Sequence, residues 1–281
     1  MEDCRVIAEV GCAHLGQMDR AKELITLAKL ANAHYVKFQK RNPPESVPKH
    51  LQNKPHPNKI FAYGDTYLEH RMNLELSIEQ HAELKKFCEE IGIGYSTSVW
   101  DMTSAKEVIE LNPDHIKIPS ACNTNFNLID YIINNYAGEI HISSGMMTDK
   151  ERIKFNKHFE PHSHRIIYYH CTSSYPCGFE HLHLNEIRNL KSFGKWKAIG
   201  FSDHGFGIVA SVVGYVLGAT CIERHFIDDR TVRHSDSSAS LEPDGLRRLC
   251  RDLKAVQKAL KYRENEMTEE ELGQRKKLKT I

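Results

Sequence analysis

Two histidines in the second half of the chain give the clearest signal for chemistry. His204 and His225 each stand at the end of a short apolar segment of the kind that forms buried strands. Where such strands are neighbours in a parallel barrel, their carboxyl ends meet on one rim, and imidazoles there can bind a divalent metal. Acidic or hydroxyl-bearing side chains precede both histidines, in the segments Gly200-Phe201-Ser202-Asp203-His204 and Ile222-Glu223-Arg224-His225. We therefore predict a metal site formed by these two residues.

The elements that would position these histidines repeat along the chain. Short apolar segments alternate with amphipathic segments whose apolar residues recur every three to four positions, as in 19–31. A helix-like segment follows each predicted strand, and eight strand–helix units are the number found in a (β/α)₈ barrel. The fold class predicted is α/β, a single-domain (β/α)₈ TIM barrel, with strands at 4–10, 35–38, 93–97, 115–118, 139–142, 165–170, 197–201 and 221–223.

Two segments depart from this alternation. Residues 40–76 form a polar insertion that contains several prolines, and its Pro43-Pro44 pair argues against a core helix there. The end of the chain is rich in charged residues. We expect residues 1–262 to form the catalytic barrel and residues 263–281 to form a charged C-terminal helix or tail.

The composition limits the class of protein. Of the 281 residues, 40% are hydrophobic and 27% charged, as is usual for a globular protein. The net charge of +1 gives no field that would attract nucleic acid, and no apolar segment approaches the ~20 residues that cross a bilayer. Eight scattered cysteines form no Cys-x-x-Cys pair, which argues against a zinc ribbon or a redox motif. The first residues lack a signal-peptide pattern, so we expect a cytoplasmic protein with reduced thiols.

Polar residues stand at the end of every predicted strand, where the reactive groups of such barrels cluster. Lys37 and Lys117 are the lysines among them. Ammonium and hydroxyl groups together suit a small phosphorylated or carboxylated anion, although either lysine could instead extend to solvent. Neither a Walker loop nor a Gly-x-Gly-x-x-Gly loop is present, so a nucleotide is not the favoured anion. The hydroxyls that accompany the lysines belong to Thr97, Ser120, Ser143, Ser144 and Ser202.

The chain resembles the sialic acid synthase family, whose members condense phosphoenolpyruvate with an N-acyl sugar aldehyde. The resemblance covers residues 4 to about 280, and its motifs follow one another in the order typical of the family. These motifs are Ile7-Ala8-Glu9-Val10-Gly11-Cys12-Ala13-His14-Leu15-Gly16, Val36-Lys37-Phe38-Gln39, Tyr95-Ser96-Thr97-Ser98, Ile116-Lys117-Ile118-Pro119-Ser120, Ile142-Ser143-Ser144-Gly145-Met146, His170-Cys171-Thr172-Ser173-Ser174-Tyr175-Pro176, Gly200-Phe201-Ser202-Asp203-His204 and Glu223-Arg224-His225-Phe226.

The resemblance implies roles for individual residues. His204 and His225 would hold the divalent metal, with Mn²⁺ favoured and Mg²⁺ or Co²⁺ as alternatives. Glu9 would be the catalytic carboxylate. Phosphoenolpyruvate would be bound by Lys37, Gln39, Thr97, Lys117, Ser120, Ser143 and Ser202. The acceptor sugar would be bound by Asp236, Tyr175 and His14, with a simple loop-bonding role as the alternative for His14.

The implied reaction yields phosphate and a 3-deoxy-2-keto sugar acid of the nonulosonic, sialic-like type, so the chain would be a transferase of carbohydrate biosynthesis. Three departures from the family pattern lie towards the acceptor. Cys122 stands where a glutamate is usual, and Ser173 replaces an asparagine. The segment His234-Ser235-Asp236-Ser237 replaces a Gly-Pro-Asp-His signature. We therefore expect the same chemistry on an aldehyde other than N-acetylmannosamine.

The resemblance also bears on partners. Members of the family usually continue into a small antifreeze-like domain, which in a swapped dimer covers the partner's active site. That domain is absent from this sequence, which leaves open a truncated chain, a separate lid-domain protein as a partner, or a larger acceptor that is already attached to a bulky group. Because isolated barrels of this kind often pair through their helical faces, we expect a homodimer, and we expect no nucleic acid or membrane partner. Three alternatives stay open: a related phosphoenolpyruvate-dependent 3-deoxy-ulosonate synthase with a different aldose acceptor, a metal-dependent hydrolase, and a non-catalytic homologue that binds sugar or phosphoenolpyruvate.

Overall fold

Eight parallel strands close into a barrel in the computed structural model, which describes residues 3–279. Each strand pairs with the next along the chain, and the last pairs with the first, so the predicted (β/α)₈ barrel is confirmed. The strands are β1 (Arg5–Gly11), β2 (Tyr35–Lys40), β3 (Gly94–Val99), β4 (His115–Ile118), β5 (Glu139–Ser143), β6 (Ile166–Cys171), β7 (Ala198–Asp203) and β8 (Cys221–His225).

Helices cover the outside of the barrel, which explains why the strands are buried on both faces. In β6 every residue is buried. The helices are α1 (Met18–Leu30), α2 (Pro43–Ser46), α3 (Lys49–Gln52), α4 (Tyr67–Leu74), α5 (Ile78–Ile91), α6 (Met102–Leu111), α7 (Phe126–Asn135), α8 (Asp149–Phe159), α9 (Glu186–Phe193), α10 (Val209–Val216), α11 (Pro243–Ala259) and α12 (Glu269–Leu278).

Local sequence signals define the ends of several helices. The Ser77 hydroxyl accepts a hydrogen bond from the Gln80 amide, and the Gln80 side chain reciprocates, which forms a capping box at the start of α5. The same helix ends at Gly92, whose φ of +74° is left-handed and favours glycine. Such caps each contribute about 1 kcal/mol, so α5 has defined limits before it packs on the barrel.

The insertion between β2 and α5 contains more helix than the sequence suggested. Its prolines were expected to exclude a core helix, and the short helix α2 is compatible with them because Pro43 occupies its first position, where a missing N–H does no harm. The two-turn helix α4 begins at a second capping box, between Thr66 and Glu69. In the charged tail, α12 has no buried residues.

The strand register brings distant residues to one end of the barrel. Glu9 of β1 is opposite Lys37 of β2 on one side and His225 of β8 on the other. Ser202 of β7 is opposite Glu223 of β8. Barrel closure therefore puts residues from the first and last strands side by side. Within residues 3–279, no helix is both long enough and apolar enough to cross a membrane.

Three fully buried imidazoles, those of His81, His115 and His141, lie away from this end of the barrel. His141 stacks on His115 with ring centroids 3.8 Å apart, and its Nδ1 shares a 2.8 Å hydrogen bond with the Tyr169 hydroxyl. His81 shares a 2.5 Å hydrogen bond with the Tyr95 hydroxyl. Burial lowers the pKa of His141 to about 4 and that of His81 to about 3. Both imidazoles are therefore neutral at physiological pH.

Candidate active site

At the carboxyl ends of the strands there is a cavity of about 260 Å³, and we call this cavity the bowl. Eight of its lining residues were predicted as site residues from the end of a strand or the turn after it, and a ninth, Tyr175, comes from a longer loop. Serine, lysine, glutamate and histidine dominate the lining, so the bowl is polar and charged. It is lined by Glu9, Lys37, Trp100, Lys117, Pro119, Ser120, Ala121, Ser143, Met146, Cys171, Ser173, Tyr175, Ser202, His204, Glu223 and His225.

Two lysines and two glutamates form a buried ion network at the base of the bowl. Lys37 contacts the Glu9 carboxylate, and its Nζ lies 3.7 Å from Oε1 of Glu223. The Nζ of Lys117 lies 3.2 Å from Oε2 of Glu223 and 3.4 Å from the centre of the Tyr169 ring. Glu223 is thus shared by both ammonium groups. The four charges neutralise one another, as buried charges must.

Burial and pairing shift the pKa of each member of this network. Burial raises the pKa of Glu9, and the neighbouring charge of Glu223 adds to that effect against the opposing influence of Lys37. For Glu223, burial is outweighed by Lys117 and Lys37, which bring its pKa down to about 2. Burial lowers the pKa of Lys117. Of the two carboxyl groups, Glu9 is the one whose pKa is raised, as is typical of a general acid or base.

Hydroxyl and amide groups surround the ion network. The Ser202 hydroxyl donates to Oε1 of Glu223 at 3.2 Å, and Nε2 of Gln39 donates to Oε1 of Glu9 at 2.9 Å. The Ser120 hydroxyl donates to the Cys171 sulfur at 3.5 Å. Ser143 is buried in the lining, whereas Thr97 is fully buried in β3, outside it. Directed donors and two ammonium groups in one small cavity suit a small anion.

The two predicted metal ligands face each other across the bowl. The ring centroids of His204 and His225 are 5.3 Å apart, and the Tyr175 ring lies 4.1 Å and 5.7 Å from them. Nδ1 of His204 donates to the Thr172 carbonyl at 2.8 Å. That bond occupies Nδ1, so a cation would be bound through Nε2, as is usual for metal-binding histidines. The imidazole also forms a side-chain hydrogen bond with Cys171.

The side chains available as ligands limit the kind of metal site that His204 and His225 could form. Between residues 3 and 279, no group of three or more histidine, cysteine, aspartate or glutamate side chains could hold a metal ion. A closed structural site is therefore excluded for the described part of the chain. Two imidazoles with further oxygen ligands from water or substrate fit an open catalytic site for a borderline cation.

The residues predicted to contact the acceptor sugar do not all lie in the bowl. Tyr175 lines it, and Oδ2 of Asp236 lies 3.9 Å from Nδ1 of His225. Nδ1 of the buried His14 accepts a hydrogen bond from the Gly16 amide at 3.0 Å, which corresponds to the loop-bonding alternative. Cys122 is also turned away from the bowl, because its thiol donates to the Trp100 carbonyl at 3.5 Å.

Sequence reasoning missed several members of the site. Glu223 was noted beside His225 but was given no role. Side chains alternate between the two faces of a strand, so these two residues, which are two positions apart in β8, lie on the same face. Side chains also alternate between the two faces of β2. One residue past the end of this strand, the pattern puts Arg41 on the same face as Lys37 and Gln39, and Arg41 was not considered. Nothing in the sequence pattern pointed to Trp100 as a lining residue.

A closed parallel barrel with two lysines, two carboxylates and two imidazoles in its carboxyl-end bowl has the features of an enzyme that acts on small anionic substrates. Residues 24–265 match the sequence model of the NeuB family. The chain belongs to the NeuB family, which confirms the resemblance to sialic acid synthases, and it is an enzyme of the class that forms carbon–carbon bonds.

Several characterised relatives are similar over most of the chain. N-acetylneuraminate-9-phosphate synthase of Homo sapiens is 34% identical over 257 residues, which are 92% of this chain and 71% of the human protein. N,N'-diacetyllegionaminic acid synthase of Campylobacter jejuni is 31% identical, with 92% and 78% covered. The crystal structure of N-acetylneuraminic acid synthetase from Leptospira borgpetersenii matches with a TM-score of 0.82 and 25% identity, covering 99% and 93% of the two chains.

Proposed function

We propose that the protein condenses phosphoenolpyruvate with an N-acylmannosamine-like sugar aldehyde in a metal-dependent reaction, giving a nonulosonic acid and phosphate. The observation that carries this proposal is the meeting of Lys37 and Lys117 with two imidazoles in one cavity of about 260 Å³. A second point of support is that the relatives named above are synthases of nonulosonic acids. Because those names belong to the relatives, the acceptor of this chain stays a proposal.

The lysines and hydroxyls would bind phosphoenolpyruvate. Lys37 and Lys117 supply positive charge for its phosphate and carboxylate, while the hydroxyls of Ser143 and Ser202 supply directed donors. Both lysines are already paired with glutamates, so the ligand would share or replace those partners. The small volume of the cavity would hold C3 of the enol close to the acceptor aldehyde.

The acceptor would bind nearer the rim, with its aldehyde towards the histidines. His204 and His225 are the residues that would hold a divalent cation, which when bound supplies Lewis-acid polarisation of a carbonyl oxygen. Tyr175, packed against both rings, would form one wall for the sugar. Asp236 lies on the same side, beside His225.

The chemistry follows from this arrangement. The π electrons of the enol form a bond between C3 and the aldehyde carbon, and the aldehyde oxygen becomes an alcohol by taking up a proton. Water adds to the cationic C2 and releases its proton to Glu9, whose raised pKa suits proton transfer. The resulting tetrahedral centre then breaks its C2–O bond to phosphate, while the C2 hydroxyl gives its proton to the departing phosphate and becomes the ketone. The atoms of phosphoenolpyruvate, aldehyde and water are all recovered in keto acid and inorganic phosphate.

The direct test is phosphate release from phosphoenolpyruvate with Mn²⁺, across a panel of N-acyl hexosamines and unmodified aldoses, with and without chelator. We expect release that needs both an N-acyl hexosamine and the metal. Release that persists in chelator would overturn the metal dependence, and release without an acceptor would indicate a phosphatase. A preference for unmodified aldoses would favour the alternative 3-deoxy-ulosonate synthase.

A further inference from the structure

A buried ion pair lies directly behind the two predicted metal ligands. Asp203 is the last residue of β7 and is followed by His204. Arg224 precedes His225, with which β8 ends. Both members of the ion pair are fully buried, and a terminal nitrogen of Arg224 lies 2.9 Å from Oδ2 of Asp203. Because side chains alternate along a strand, the ion pair lies on the outer face of the barrel while the imidazoles of His204 and His225 line the bowl.

The strand register makes this ion pair a link between the two strands that carry the histidines. Asp203 and Arg224 are opposite each other where β7 pairs with β8. Each histidine is the next residue along the chain, so the distance between the two histidine backbones depends on this link. The Ser211 hydroxyl of α10 donates to Oδ2 of Asp203 at 2.5 Å, which connects the link to the helix behind it.

The guanidinium group of Arg224 also holds the loops that follow the two strands. It donates to the carbonyls of Gly205 and Gly207 at 2.8 and 2.5 Å, in the loop between β7 and α10. A longer bond of 3.4 Å reaches the Ala239 carbonyl, in the loop between β8 and α11. Oδ1 of Asp203 accepts a hydrogen bond from the Gly205 amide at 2.8 Å. The ion pair therefore fixes the backbone that follows both histidines.

Arginine is suited to this position because of the shape of its side chain. The planar guanidinium group presents a fork of N–H donors in fixed directions, which lets Arg224 reach Asp203 and several carbonyls at once. A lysine ammonium group is a compact point charge on a flexible stem. Lysine would therefore keep the attraction to Asp203 but not the simultaneous contacts with the loops after β7 and β8.

The cation site depends strongly on the spacing of its two histidines. Within residues 3–279 no three histidine, cysteine, aspartate or glutamate side chains form a metal-binding group, so no third ligand of these types compensates for a misplaced imidazole. The ring centroids of His204 and His225 are 5.3 Å apart. The bond from His204 to the Thr172 carbonyl sets the orientation of one ring but not the distance between the two rings. Residues that orient metal ligands from behind contribute to metal affinity without touching the ion.

We propose that Asp203 and Arg224 are positioning residues, which hold the backbones of the two histidines at the separation at which both imidazoles bind one divalent cation. This inference rests on the proposed function, which supplies the cation. Neither positioning residue lines the bowl, so neither touches the substrates or the reacting atoms. Replacing either residue should therefore weaken the binding of the cation far more than the binding of phosphoenolpyruvate at the lysines.

Titration with Mn²⁺ tests this without turnover. Free Mn²⁺ is measured by its electron paramagnetic resonance signal, and phosphoenolpyruvate binding is measured separately by calorimetry in the presence of chelator. Arg224→Lys and Asp203→Asn should each raise the Kd for Mn²⁺ about 10–100-fold, the usual effect of removing a residue that orients a metal ligand. The Kd for phosphoenolpyruvate should change much less. Circular dichroism and thermal melts show which variants are folded, and Arg224→Lys, which retains the charge, tests the inference by itself if Asp203→Asn does not fold.

Arg5→Met is the matched control for a general loss of stability. Arg5 lies 2.6 Å from Oε2 of Glu139, and these two residues begin β1 and β5, at the opposite end of the barrel from the bowl. This variant should lower the Tm while leaving the Kd for Mn²⁺ unchanged. A rise in the Mn²⁺ Kd of Arg5→Met as large as that of Arg224→Lys would mean that metal affinity follows stability alone, and would overturn the inference.

The outcomes distinguish this inference from the proposed function. Mn²⁺ binding in Arg224→Lys and Asp203→Asn as tight as in wild type overturns the inference and leaves the proposed function standing. An equal loss of affinity for Mn²⁺ and phosphoenolpyruvate also overturns it, because the ion pair would then support the whole bowl. If the variants lose Mn²⁺ as expected and yet no acceptor releases phosphate, the proposed reaction fails and the positioning role stands. If wild type binds no Mn²⁺, the metal dependence in the proposed function fails and the inference fails with it.

Discussion

Replacing Glu223 with glutamine removes the carboxylate that both lysines of the bowl share. Lys37 keeps Glu9, whereas Lys117 keeps no carboxylate partner among residues 3–279. Removing one partner of a buried ion pair costs about 3–5 kcal/mol. Proton loss from Lys117 limits this cost to about 4 kcal/mol at pH 7.5, the free energy of neutralising an amine with an ordinary pKa of 10.5. We therefore expect the variant to lose about 3–4 kcal/mol of unfolding free energy.

Phosphoenolpyruvate should restore much of this loss, because its negative charges take the place of the missing carboxylate. At about 2–3 °C per kcal/mol for a chain of this size, ligand-free Glu223→Gln should melt about 6–12 °C below wild type. Saturating phosphoenolpyruvate should then raise the Tm of the variant by more than that of wild type. Thermal melts with and without the ligand measure both effects, with Glu270→Gln, exposed on α12, as the matched control.

Two results would refute the reasoning. A ligand-free Tm within about 2 °C of wild type would mean that Lys117 does not depend on Glu223, since a lost buried pair should cost more. An equal ligand-induced shift in both proteins would mean that phosphoenolpyruvate does not neutralise the lysines. The control should match wild type in both measurements, because an exposed charge contributes little.

Three further predictions concern the metal, the cavity wall and pH. His204→Ala should abolish turnover at saturating Mn²⁺ while circular dichroism stays unchanged; wild-type turnover would reject His204 as a ligand. In Gly145→Ala the new methyl group would lie 2.5 Å and 2.6 Å from the hydroxyls of Ser173 and Ser120. The KM for phosphoenolpyruvate should therefore rise about tenfold at little loss of Tm. An unchanged KM would contradict the assignment of Ser120 and Ser173 to the wall of the phosphoenolpyruvate site. His141 and His81 have pKa values lowered to about 4 and 3, so the unfolded state binds more protons once the pH falls below about 6.5. Urea titrations should show a loss of stability between pH 7.5 and pH 5.5, to which these two groups contribute about 3 kcal/mol, and a flat profile would exclude this linkage.

The predicted site residues that line the bowl were found through the fold. Once eight strand–helix units are counted, the carboxyl ends of the strands must meet, so Lys37, Lys117, His204 and His225 converge whatever the details of their loops. The rim of the bowl is different, because irregular loops build it and their geometry depends on contacts between distant residues. Cys122 shows this well: its position after β4 was clear, but the turn that directs its thiol to the Trp100 carbonyl was not.

The insertion after β2 was the largest gap in the prediction. Its prolines correctly excluded a long core helix, yet the two-turn helix α4 and its capping box were not predicted. Glu223 was a simpler omission, because its position two residues before His225 puts it on the inner face of β8. The alternation of side chains should therefore be followed across the end of a predicted strand, here from Glu223 to His225.

The pairing of β1 with β8 has a consequence for how the protein is made. Glu9 and His225 are opposite each other in neighbouring strands, yet roughly 200 residues separate them along the chain, which takes on the order of 10–40 s to synthesise on a ribosome. During that interval one side of the apolar strand β1 has no partner and can pair with another chain. A nascent chain therefore has to protect its first strand until β8 emerges, and chaperone demand should fall sharply once β8 has left the exit tunnel.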